Sequence, residues 1–286
     1  MRKNQTSLTA AGIAIARAVE GEKPEGERIC YDPYARRFAP AGLYAVTAFM
    51  VRIGYTEWRG PGVMGFLAAR ERYIDDVLQD FFGKGLQQLV ILGAGYDARA
   101  YRFDRLKEGV KVFEVDHPAT QAHKITRLRE IFGEQPPHVT YVPIDFNSQT
   151  LEKRLMESGY DPKLKTLFIW QGVTMYLAAE AVDDTLRFVV QHSASGSAIV
   201  FDYLYRRVLD GIQKQSEISN MRRYRFMSGE ELTFGIEEGT GEAFLKERGF
   251  RRVRDIGAEG LKKAYFTGKN AGRNIASGYG IVLAEV

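Results

Sequence analysis

From residue 87 onward, short runs of β-branched and aromatic apolar residues alternate with helical segments of mixed polarity, and that alternation predicts a doubly wound parallel sheet. Strands are expected at residues 88–92, 110–115, 139–144, 166–170 and 197–203, with helices at 98–107, 118–131, 148–158 and 179–192 among them. A helix at 241–248 and a late pair of strands at 251–256 and 279–285 bring the strands to seven, with a glycine-rich loop over 267–280 before the last.

Two stretches break the alternation. Residues 1–86 read as helices over 7–20, 32–38, 41–53 and 62–82, interrupted at Gly60-Pro61-Gly62, and are expected to form a helical cap within the same domain as the 87–286 core. Residues 204–239, dense in Arg, Tyr, Ser and Glu, are expected to be a helical insertion after the fifth strand, serving as a lid or substrate element. Segments beyond the carboxyl ends of the strands build the sites of open α/β sheets, so both stretches are expected over the crevice.

Composition narrows the class without naming it. A chain of 286 residues with 45% hydrophobic content fills one large α/β domain. The net charge of +4 is interspersed and calls for no nucleic-acid partner, the one local concentration being Arg222, Arg223 and Arg225 around Tyr224. No run of about 18 apolar residues predicts a membrane span. Met1-Arg2-Lys3 and the apolar stretch at 8–16 imitate a secretory signal, but the stretch is short, rich in Ala and Gly, and runs on into Arg17 and Glu20. A helix begun near Thr6 or Ser7 as N-cap is expected instead. The single Cys30 precludes an internal disulfide and fits a cytoplasmic location, and one thiol with dispersed His117, His123, His138 and His192 offers no metal-ligand spacing.

The chemistry begins where Leu89-Val90-Ile91-Leu92 runs into Gly93-Ala94-Gly95. Glycines directly after a buried strand let the backbone turn sharply and approach a ligand closely, which predicts a nucleotide-like ligand. Asp116, ending the second strand, is placed to accept hydrogen bonds from a ribose diol. The spacing Gly93-x-Gly95-x-x-Ala98 suits NAD and S-adenosylmethionine alike. Three features favour the sulfonium cofactor. Asp145 and the amide of Phe146, after the third strand, suit an adenine; helical residues precede the first strand; and Asp97 puts negative charge where a pyrophosphate would otherwise sit.

The segments ILGAGYDARAYRF (91–103), VFEVDHPATQAHK (112–124), PIDF (143–146) and FIWQGVTMYLAAEAVDDTLRFV (168–189), together with DPYA (32–35) and ARERYIDD (69–76), resemble the bacterial branch of the leucine carboxyl methyltransferase superfamily. That resemblance implies a Rossmann-like, seven-stranded class I methyltransferase fold using S-adenosyl-L-methionine. It also implies roles: Arg70 on the methionine carboxylate of the cofactor, with Arg72 as the fallback, Gly93 and Gly95 against the methionine portion, Asp116 on the ribose, and Asp145 with Phe146 on the adenine. Gln171 departs from the glutamate usual in the family; its amide is still expected to hydrogen-bond the cofactor but offers it no full negative charge.

No histidine stands out as a general base, which favours a carboxylate or an already acidic hydroxyl as methyl acceptor. A small molecule, aromatic or polyketide-like, is the expected partner, held by Tyr176, Tyr203, Arg206 and Arg222, with Tyr205, Arg223 and Tyr224 as further candidates. Two other readings stay open: an NAD-dependent oxidoreductase using the same glycine turn, and a non-catalytic protein that binds S-adenosylmethionine.

Overall fold

A computed structural model describes residues 8–145, 149–211 and 231–286. Seven strands form one sheet: β1 (Gln88–Leu92), β2 (Lys111–Asp116), β3 (Val139–Pro143), β4 (Thr166–Trp170), β5 (Ala198–Leu204), β6 (Arg252–Gly257) and β7 (Tyr279–Glu285). Their order is β3-β2-β1-β4-β5-β7-β6, with β7 antiparallel to both neighbours and the rest parallel. β1 and β4 are buried along their whole length, as strands covered on both faces must be. The last antiparallel strand wedged between β5 and β6 departs from the 3-2-1-4-5-6 order of a dinucleotide fold.

Alternation along each strand sorts the core into two layers. Leu89, Ile91, Leu167, Ile169 and Val200 face one way. Val90, Leu92, Phe168, Trp170 and Phe201 face the other, against α8 (Leu151–Glu157) and α9 (Ala179–Gln191). The first face is covered by the amino-terminal helices. In α1 (Leu8–Gly21), Ala11, Ala14, Ile15 and Ala18 make a buried stripe at helical spacing. In α5 (Val63–Gly83) the stripe is Phe66, Ala69, Arg70, Tyr73, Ile74, Val77, Leu78 and Phe81. These helices therefore complete the core of the sheet and bring Arg17 and Arg70 to its carboxyl edge.

Short elements connect these two. Asp32 Oδ1 accepts from the amides of Tyr34 and Ala35, which starts α2 at Ala35 and shortens the expected helix to Ala35–Phe38. α3 (Ala41–Arg52) follows, and α4 (Tyr55–Arg59) is an added turn before the Gly60-Pro61-Gly62 break. After β1 the helix expected over 98–107 is only α6 (Arg99–Arg102) and a 3-10 turn, because Phe103 is extended and its ring packs 6.1 Å from that of Phe82. α7 (Pro118–Phe132) leads to β3. An eight-residue helix, Ala258–Tyr265, lies between the last two strands; Ala258, Leu261 and Tyr265 stand at helical spacing, but over too short a window for the sequence reading to pick the helix out. Residues 206–211 are helical, whereas most of the insertion lies outside the described residues. No described helix is long and apolar enough to cross a membrane.

Candidate active site

β1 and β4 are the neighbours at which the strand order reverses, so the connections leaving their carboxyl ends diverge and open a crevice. Gly93 takes φ +64° and Gly95 φ +40°, both in the left-handed region that glycine enters without penalty. A Cβ at Gly93 would run into Cγ2 of Val173, so the turn is closed on its outer side as well. Its inner side is closed by Asp116, whose Oδ2 accepts from Gly95 N at 2.5 Å and Oδ1 from His117 N at 2.6 Å. Burial pushes the Asp116 carboxyl above its usual value, and these two amides pull it partly back.

A cavity of about 450 Å³ spans this edge, walled by residues that include some from α1, α5 and the ends of β1 to β4. The structure brings Arg70, Gly93, Gly95, Asp116, Asp145, Gln171 and Tyr176 together on its wall. Phe146 and Arg222, Arg223 and Tyr224 lie outside the described residues. Arg72, the alternative to Arg70, points away and pairs with Asp76 at 2.8 Å.

Tyr203 does not reach the cavity, which corrects its expected place on the acceptor wall, and Arg206 is not among the described residues that line it. The period of two in β5 turns Tyr203 to the opposite face, where its hydroxyl donates to Asp255 at 2.9 Å, and sends Asp202 towards the site instead. Arg206 is exposed just past the strand end, and Tyr205 is buried against Tyr203.

Asp202 is a residue the sequence reading missed. Its Oδ2 accepts from Arg70 Nη1 at 2.6 Å and its Oδ1 from Gly172 N at 2.6 Å, with the side chain fully buried. It therefore fixes Arg70 on the cavity wall and the backbone beside it in one contact. Arg70 Nε has no hydrogen-bond partner among the described residues. A lone carboxylate within the otherwise apolar strand AIVFDYL was the available signal. Arg17, also missed, reaches the same wall from α1, donating to Tyr96 O and pairing with Asp32 at 3.0 Å.

Beneath the turn lies a buried charge network. Arg99, fully buried, pairs with Asp97, with Asp75 at 2.8 Å and with Glu71 at 3.0 Å. Arg102 reaches Glu71 at 3.0 Å and Asp75 at 2.6 Å. The charge of Asp97, expected to face the ligand, is thus shared with Arg99, although Asp97 still lines the cavity. Gln171 belongs to the same network: its carbonyl accepts from Arg99 Nη1 at 2.8 Å and its amide donates to Glu71 Oε2 at 2.9 Å. One N–H and one carbonyl lone pair are thus engaged within the protein, while Gln171 also lines the cavity and keeps a second donor and a second lone pair. A glutamate at position 171 would face Glu71 across that 2.9 Å contact with no proton to share, which gives the amide its physical reason.

Neither candidate base is well disposed. His117 lines the cavity but caps α7, its Nδ1 accepting from Ala119 N at 3.3 Å, and His192 is stacked on Phe188 at the end of α9, off the cavity wall.

Comparison with known proteins follows the same geometry. The family model described as leucine carboxyl methyltransferase matches residues 10–190, well over half of the chain. The chain belongs to this family. Among its relatives is the "Putative S-adenosyl-L-methionine-dependent methyltransferase YktD" of Bacillus subtilis (strain 168), 29% identical over 70% of this chain and 66% of that protein. A relative of the same description from Mycolicibacterium paratuberculosis (strain ATCC BAA-968 / K-10) is 29% identical over 85% of this chain and 82% of its own length. A solved structure described as a "putative methyltransferase" from Thermobifida fusca YX superposes with a TM-score of 0.54 at 14% identity, covering 98% of this chain and 95% of that one, and shows the shared fold. The matched leucine carboxyl methyltransferase segment contains Arg17, Arg70, the glycine turn, Asp116, Asp145 and Gln171, but neither Asp202 nor the insertion.

Proposed function

We propose that this protein transfers a methyl group from S-adenosylmethionine to an oxygen, carboxylate or hydroxyl, of a small molecule. Membership of the leucine carboxyl methyltransferase family supports the coarser activity, S-adenosylmethionine-dependent methyl transfer. The observation that carries the cofactor is the cradle at the β1–β4 divergence: a glycine turn closed by Asp116, with Arg70 held on the same wall and one of its buried donors unspent. Arg70 suits a carboxylate, Asp116 a ribose diol and Asp145 an adenine amino group. Bound there, S-adenosylmethionine supplies an electrophilic methyl group on a sulfonium. Positioning an acceptor oxygen about 3 Å from that methyl and in line with its bond to sulfur supplies much of the acceleration.

An oxygen acceptor is favoured by what the wall offers. Ile13, Val173, Tyr176 and Leu177 are among its apolar residues, and the histidine on it, His117, is engaged as a helix cap. A carboxylate, with a pKa near 4, needs no base at neutral pH. The test is transfer of label from methyl-tritiated S-adenosylmethionine to a panel of aromatic and aliphatic acids, phenols and amines. Alkali-labile label on an acid supports carboxylate methylation and stable label on a phenol supports the hydroxyl; label on nitrogen or carbon, or none anywhere, sinks the reading.

The raised Asp116 carboxyl predicts a pH effect on cofactor binding. Protonation removes an acceptor, so on acidification affinity should begin to fall at a higher pH than a solvated aspartate would set. Calorimetric titration across pH checks this, and Asp116→Asn should bind more weakly with that acid dependence gone.

A further inference from the structure

Arg17, Arg99 and Arg102 are linked by pairing to Asp32, Glu71, Asp75 and Asp97, three guanidiniums against four carboxylates. Of these, Arg17 and Asp97 form part of the cavity wall. The Arg70–Asp202 pair beside them is neutral. With its members ionised, the network therefore carries one negative charge more than it neutralises, and a low-dielectric surround transmits that charge into the cavity.

Glu71 is the centre of the arrangement. Only 1% exposed, it touches Arg99 and Arg102 at 3.0 Å, lies 3.9 Å from Arg17, and accepts from Gln171. Burial opposes its ionisation, but Arg99, Arg17 and Arg102 outweigh burial and hold the carboxyl well below the usual carboxylate range. Through Arg17 and Gln171, both of which approach its Oε2, it reaches two residues of the cavity wall.

We propose that Glu71, acting through the Gln171 amide, is a positioning and specificity-determining residue that adds negative charge behind the cavity wall, beside that of Asp116, and so helps the cavity discriminate between cofactor and product by charge. S-adenosylmethionine carries an ammonium and a sulfonium against one carboxylate. Loss of the methyl group leaves a neutral thioether and removes one positive charge. A cavity whose wall is backed by that negative charge holds the first more tightly than the second, which limits product inhibition. The proposal rests on the cofactor assignment above.

The residues at positions 71 and 171 also make the idea testable by exchange. Glu71→Gln removes the charge, whereas Glu71→Gln with Gln171→Glu restores it one side chain away. In the exchanged pair the carboxylate at position 171 accepts from Arg99 and from the amide at position 71. The amide carbonyl at position 71 still accepts from Arg102, so the hydrogen-bond pattern survives with its direction reversed.

Calorimetry with S-adenosylmethionine and S-adenosylhomocysteine, on the wild type and both variants, measures the affinity ratio. The expected wild-type ratio favours S-adenosylmethionine on the order of tenfold, as one charge acting across several Å at intermediate dielectric predicts. Glu71→Gln should lower the ratio, chiefly by weakening S-adenosylmethionine, and the exchanged double variant should recover it with a melting temperature near that of the wild type. A packing role alone would weaken both ligands equally. An unchanged ratio in Glu71→Gln with both ligands bound overturns the proposal alone, as does a folded double variant that fails to recover the ratio. A wild type that binds neither ligand overturns the cofactor assignment along with it. If Glu71→Gln does not fold, the double variant against wild type decides: a retained ratio supports the proposal and a lost one overturns it.

Discussion

Arg99→Met should cost about 3–5 kcal/mol of folding stability, the usual penalty for removing one partner of a buried ion pair. Arg99 is fully buried and pairs with Glu71, Asp75 and Asp97 while donating to Gln171. Methionine fills much of the volume but leaves three carboxylates with fewer cations in a dry surround. At roughly 2–4 °C per kcal/mol for a domain of this size class, the melting temperature should fall by about 10 °C.

The pH dependence gives the mechanism away. In the wild type the Glu71 carboxyl is depressed, so its contribution is present above the unfolded-state value and is lost only as pH falls through the lower folded-state value. In the variant the surviving carboxylates have lost a cation and burial raises them, so protonation relieves the penalty. Differential scanning fluorimetry at pH 7 and pH 5 should therefore show the gap to wild type narrowing at pH 5. A gap that widens or stays constant would assign the loss to packing.

Gly93→Ala should abolish useful cofactor binding. Two penalties combine: φ of +64° costs an L-residue about 1–2 kcal/mol, and the added Cβ meets Val173 Cγ2, so either the turn or the loop after β4 must move. That loop carries Gln171 and Gly172, the partners of Glu71 and Asp202, so displacement spreads across the wall. A misplacement of this kind should weaken S-adenosylmethionine binding by on the order of a hundredfold. Adding Val173→Ala removes the collision and leaves the backbone penalty, so the double variant should recover all but about tenfold. Equal loss in both variants, measured by calorimetry, would mean that the conformation at Gly93 alone matters.

Much of this was legible because the signals were local. Gln88–Leu92, Thr166–Trp170 and Tyr279–Glu285 lie where the apolar runs put them, since a strand buried on both faces must be apolar throughout. The glycine turn was legible for a similar reason: two glycines after such a strand have few other uses. The helix Ala258–Tyr265 escaped because its helically spaced apolar residues, Ala258, Leu261 and Tyr265, span only eight positions.

The site divided along the same line. Gly93, Gly95, Asp116 and Asp145 follow strand ends, and strand ends converge on one edge of a parallel sheet, so a motif on the chain becomes a neighbour in space. Tyr203 was misplaced because a strand alternates its faces, and a one-residue difference at the end of β5 decides whether Asp202 or Tyr203 faces the site. The partners of Gln171, Arg99 and Glu71, stand 72 and 100 residues away, beyond the reach of any local pattern.

By itself, then, the sequence determined the parallel sheet, the nucleotide-type turn and the family to which the chain belongs, because each is written in contiguous residues whose spacing has one physical use. Only the tertiary structure decided which charges are spent. Arg70 was a candidate on a helix until Asp202 held it on the wall, and Gln171 was an anomaly until Glu71 supplied a carboxylate beside it. Pairing between distant side chains depends on distances of 2.6 to 3.9 Å that only packing of α1 and α5 against the sheet creates, and no local pattern encodes them.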